Sequence, residues 1–107
     1  MQTLAQPETE HRTSLGKFPV VLSYQSSETC NFFRVYAFSY EVKEALERAV
    51  SQGRIISLEL KSANVEAYQV LDCAVRLSIK APAEISVFNK DARKRQEAVN
   101  FLEEILA

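Results

Sequence analysis

The chain holds one histidine, His11, and two cysteines, Cys30 and Cys73. A serine or cysteine nucleophile activated by imidazole needs that histidine within hydrogen-bond reach of it. His11 falls in a polar N-terminal stretch and reads as a solvated tail residue. A zinc site needs three or four closely organised Cys and His ligands, and these residues stand at no ligand spacing. Neighbouring carboxylates occur as Glu41 with Glu44 and as Glu103 with Glu104, on helix faces expected to be wet. Carboxylates there stay ionised, whereas acid-base work requires one of them to be desolvated. Only Gly16 and Gly53 are present, too few for a phosphate-cradling loop, which excludes P-loop and dinucleotide-binding folds. The expectation is a protein that is not an enzyme, with no catalytic residues, no cofactor and no metal.

The residues that could do chemistry of another kind lie in Asn31 to Tyr40, "NFFRVYAFSY", with five aromatic rings in a chain only 9% aromatic. On a strand, Phe32, Arg34, Tyr36, Phe38 and Tyr40 project to one face and Phe33, Val35, Ala37 and Ser39 to the other. Aromatic residues dominate core energetics, so core packing is the bland reading. Arg34 argues for the sharper one, because a charged side chain is rarely buried unpaired. An open row of rings with an arginine suits the apolar centre of a protein interface, where Tyr, Phe and Arg are enriched. The same row would also stack nucleic-acid bases, each ring–base stack contributing ~1–3 kcal/mol.

The elements that must position this row follow from periodicity. Residues 1–16 lack an apolar period and read as a disordered tail, with one domain over 17–107. "FPVVLSY" and "FFRVYAF" read as two strands joined by a short polar turn, hence an antiparallel hairpin. Val42, Ala45, Leu46, Ala49 and Val50 fall on one helical stripe, with Ser39 as N-cap and Gly53 as C′ residue. "RIISLELK" alternates, with Ile56, Leu58 and Leu60 on its apolar side and Ser57, Glu59 and Lys61 on its wet side. Leu71 to Lys80 alternates again and ends at Pro82, while residues 65–70 fit a short helix or the start of that strand. Ala98, Val99, Leu102, Ile105 and Leu106 mark a second helix capped by Asn89 or Asp91, or one starting earlier, near Ala83. The expected fold is α+β, ββαββα, an antiparallel sheet of about four strands with two helices packed on one face. The first helix should then pack Val42, Leu46, Ala49 and Val50 on Val20, Leu22, Val75 and Leu77. Cys73 belongs to that core and Cys30 to a turn.

Composition bounds the partners. At 107 residues, 47% hydrophobic and 25% charged, the chain suits a single globular domain. Its net charge of −1 gives no long-range attraction for nucleic acid or anionic lipid. No apolar run approaches the ~20 residues that span a bilayer, and the N-terminus has neither a basic start nor an apolar segment. A cytoplasmic location and no membrane partner are expected. The function expected is a small non-catalytic protein–protein interaction or regulatory module acting through Phe32, Arg34, Tyr36, Phe38 and Tyr40, with Arg93 and Arg95 as further contacts. The alternative is a single-stranded RNA or DNA binder that adds Arg76, Lys80 and Arg93 to Arg95.

A homodimer is also expected, through the C-terminal helix or through the aromatic sheet face. Lys90, Arg93, Lys94 and Arg95 crowd the start of the second helix and Glu103 and Glu104 its end, against the macrodipole. Such a helix complements its antiparallel twin across a two-fold axis, with Phe101 and Leu102 between the charges.

Overall fold

The computed structural model describes residues 10–23, 28–36, 39–60, 62–80 and 82–107. Seven strands and two helices follow in the order β1 (Glu10–Leu15), β2 (Phe18–Ser23), β3 (Cys30–Val35), α1 (Ser39–Ser51), β4 (Ile56–Leu58), β5 (Val65–Val70), β6 (Cys73–Ser78), β7 (Ala83–Phe88) and α2 (Ala92–Leu106). The strands form one antiparallel sheet in the order β1-β2-β3-β7-β6-β5-β4. Two meanders, β1-β2-β3 and β4-β5-β6-β7, are thus stitched together where β3 pairs with β7. Helix α1 carries the chain from the centre of the sheet to its far edge.

Alternation places the core on one side of the sheet. Phe18, Val20, Phe33, Val35, Ile85, Val87, Val75, Leu77 and Val70 meet Val42, Leu46 and Ala49 of α1 and Ala98, Val99, Leu102 and Leu106 of α2 in one buried cluster. Val42, Leu46 and Ala49 share this cluster with Val20, Val75 and Leu77, and the partly buried Val50 packs against it, while the expected contact with Leu22 lies outside the described side chains. Gly53 sits at φ +74, the left-handed conformation that closes a helix C-terminus. Asp91 caps α2, its side chain accepting from the Arg93 N–H at 2.9 Å.

The α+β class stands, but ββαββα with about four strands does not: the sheet has seven. Residues 10–15, expected in the tail with His11, form β1; the remainder of that tail lies outside the described residues. Its turn is a two-residue Gly16–Lys17 loop, since Leu15 pairs with Phe18. Gly16 takes φ +60, and a Cβ there would run into the Leu106 carbonyl carbon, so both backbone and packing demand glycine. Residues 65–70, open between helix and strand, are β5. Ala83–Phe88 is the central strand β7, which removes a second helix starting near Ala83. Pro82 precedes that strand, at a position where its missing N–H leaves the ladder intact.

Two strand expectations also change. The aromatic strand ends at Val35, and Tyr40 lies in the first turn of α1. In β4, Ser57 is paired with the buried Tyr68, so Ile56 and Leu58 face away from the helices. The apolar side of this edge strand is its exposed side, and Ile55 supplies the buried contact instead. The β5–β6 turn, Leu71–Asp72, puts Leu71 at φ 55.

Candidate functional site

The face of the sheet turned away from the helices is built from strand registers. Across it run Phe32, Ser86, Arg76, Ala67 and Leu58, each opposite the next on adjacent strands. A neighbouring row runs Cys30, Phe88, Ala74, Gln69 and Ile56. A third places Arg12, Val21, Arg34, Glu84, Ser78 and Val65 in line. Residues two apart on one strand share a face, so the two rings Phe32 and Phe88 are diagonal neighbours across β3 and β7. The Arg76 guanidinium lies 5.3 Å from the centre of the Phe88 ring, within cation–π range. Arg34 approaches Glu84 with 3.9 Å between Nε and Oε2. Val21 is buried apart from the main core, between Arg12 and Arg34 in register.

Of the predicted row, Phe32 and Arg34 stand together on this face, half-buried. Tyr36 follows the end of β3, tied there by its N–H to the Pro19 carbonyl at 2.9 Å, and is 50% exposed. Tyr40 is 68% exposed but belongs to a helix, not to the sheet face. Phe38 lies outside the described residues. Arg76 and Lys80 are both exposed, Arg76 on the face and Lys80 past the end of β6.

Arg93 is exposed in the first turn of α2, whereas Arg95 is 8% exposed and faces the sheet. Its Nε donates to Asn31 Oδ1 at 2.8 Å and its Nη1 donates to the Asn89 carbonyl. Arg95 therefore fastens α2 to β3 and to the end of β7, which withdraws it from any external partner. Lys94 reaches Asp72 at 3.5 Å, and Asn89 Nδ2 donates to the Asp72 carbonyl at 3.0 Å. Of the basic cluster at the start of α2, Arg95 is thus turned inward and Lys94 is paired, while Lys90 and Arg93 are exposed. Leu102 is fully buried, so the α2 surface between the basic and acidic ends offers Phe101 but not Leu102.

Sequence reasoning missed Phe88, Ile56 and Leu58 as members of the face. For Phe88 the signal was present in the alternation of "AEISVF"; for Ile56 and Leu58 no local pattern separates a helix-facing apolar row from an exposed one.

The thiols offer no activated nucleophile. Burial pushes the Cys73 thiol up, with Asp72 adding to it, and Cys73 Sγ sits 3.3 Å from the Lys94 carbonyl. Burial also raises Cys30 despite hydrogen bonding at Ser86 and Val87 and the charges of Arg95 and Arg76. Cys30 opens β3 rather than occupying a turn. Among the described residues, no group of three or more His, Cys, Asp or Glu side chains could hold a metal ion. Among them, too, no helix is long and apolar enough to cross a membrane. Comparisons with protein-family models, with curated proteins and with solved structures gave no match.

Proposed function

We propose that this protein is a small non-catalytic interaction or regulatory module that binds another protein through the open face of its sheet. The observation that carries the reading is the face turned away from α1 and α2, which no helix covers among the described residues. It joins Phe32, Phe88 and the Arg76 guanidinium at its centre to the exposed Ile56 and Leu58 at its β4 edge. Apolar side chains and arginine without a dense cationic field are what a protein partner uses. With a net charge of −1, phosphate neutralisation, the main source of sequence-independent nucleic-acid affinity, is weak.

One observation favours a second reading. Phe88 under Arg76, with Phe32 beside it, is a stacking platform of the type on which single-stranded bases lie. Fluorescence anisotropy with mixed single-stranded RNA and DNA, at low and at high salt, separates the two. The protein-partner reading expects no saturable binding at either salt concentration. Micromolar binding that weakens steeply with salt, and that Arg76→Glu abolishes, would replace it with the nucleic-acid reading.

A further inference from the structure

The β4 edge combines three features that point to one occupant. Among the described residues it pairs with β5 alone, so its other side is a sheet edge, the template for an added strand. Its outward-facing side chains are apolar, Ile56 58% exposed and Leu58 38%, and Leu60 beyond its end is 40% exposed. Its ends carry opposite charges, with Arg54 before the strand and Glu59 after it, both exposed. We infer that a second copy of this chain pairs with β4 across a two-fold axis, β4 against β4, continuing the sheet from one molecule into the next. This deepens the interaction reading above and rests on it, since it names one partner for the β4 end of the same face.

The strand is self-complementary in that arrangement. With the axis normal to the sheet, Ser57 stands opposite Ser57 of the second copy and Ile56 stands opposite Leu58. Both apolar pairs then lie on the open face. Antiparallel pairing also brings the Arg54 end of each strand to the Glu59 end of its twin, so charge favours this orientation over a parallel one. A two-fold contact leaves no β4 edge open, whereas an unrelated strand would have to match the Ile56–Leu58 row and both end charges independently. Sheets broadened in this way fall within the range of large open sheets. The strand is three residues long, so the contact is small and the dimer is concentration-dependent.

Sedimentation equilibrium from about 10 µM to about 1 mM, a range suited to small transient contacts, tests this. The expected result is an average mass rising from 12.1 kDa toward twice that value. The doubly substituted Ile56→Lys, Leu58→Lys chain should stay monomeric over the whole range, and Glu44→Lys, on the exposed side of α1, should dimerise like the wild type. Both lysine positions are exposed, and circular dichroism checks that the double variant folds. Independently of any variant, amide hydrogen exchange in residues 55–59 of the wild type should slow as concentration rises. A monomer at every concentration, a dimer indifferent to the two lysines, or unchanged exchange at 55–59 would overturn the inference. A dimer dissolved by Phe32→Glu and not by the lysines would also overturn it, moving self-association to the middle of the face and leaving the interaction reading intact.

Discussion

Tyr68 is 2% exposed, and among the described residues its hydroxyl has no hydrogen-bond partner. An unsatisfied buried hydroxyl costs ~1–3 kcal/mol. Tyr68→Phe keeps the ring in the core and should therefore raise stability by about 1 kcal/mol in urea denaturation, whereas a loss of that size would mean that the hydroxyl is satisfied. Burial, reinforced by Glu66 and Glu47, pushes the Tyr68 hydroxyl up to about 12. The folded state thus holds this proton more tightly than the unfolded chain. The associated stability is complete below pH 10 and falls as pH rises toward 12. Between pH 9 and about 11.5 the wild type should lose more stability than Tyr68→Phe, an equal loss removing the assignment. Arg95 is the opposite case, a buried cation held by hydrogen bonds to Asn31 and the Asn89 carbonyl. Arg95→Ala should cost about 2–4 kcal/mol, since hydrogen bonds to charged groups contribute ~1.5–3 kcal/mol each, and Arg95→Lys should recover little because it lacks the fork. A loss below about 0.5 kcal/mol would show that Arg95 does not fasten α2; the exposed Lys94→Ala, whose surface pair contributes ~0–1 kcal/mol, is the control.

The turn between β5 and β6 holds Leu71 at φ 55, a conformation that costs a branched residue ~1–2 kcal/mol. Leu71→Gly should therefore stabilise the hairpin by up to about 1 kcal/mol in chemical denaturation, the gain in backbone fit being offset by glycine's freedom in the unfolded chain. Destabilisation by more than about 1 kcal/mol would mean that the Leu71 side chain contributes more than its backbone costs. This turn also shows what periodicity can and cannot carry. α1 was legible because its apolar stripe and Gly53 agree with one another. The core side of β6 was legible because Cys73, Val75 and Leu77 alternate without interruption. β1 was hidden because its polar Arg12, Thr13 and Ser14 are held by pairing with β2, a non-local interaction. β7 was hidden behind Pro82, which punctuates equally well before a strand and after one. In β4 the alternation was legible but its sense was not: a period of two assigns residues to two faces and does not say which one the helices cover. Of the candidate site, Phe32 and Arg34 came from one strand and could be read together. Phe88 and Arg76 join them only through β3–β7 and β7–β6 pairing, which the sequence does not encode locally.

At the scale of the whole molecule, two meanders joined at β3 and β7 leave one face of the sheet to α1 and α2 and, among the described residues, the other free of helices. The helix-covered face carries the core. The other carries Phe32, Phe88, Arg76 and, at its edge, Ile56 and Leu58. The net charge of −1 supplies no long-range steering. The central claim is that this face binds protein. Its most direct test is affinity capture from the native cell using the wild-type chain, Phe32→Glu with Arg76→Glu, and a control substituted on the exposed side of α1, Glu44→Lys. Captured material is identified for both protein and nucleic acid, and the captured protein is then titrated in purified form. The account predicts a stoichiometric protein partner retained by the wild type and by Glu44→Lys and lost, at least tenfold in affinity, by the face variant. A partner held equally by all three chains, or one lost only with Glu44→Lys, would contradict it.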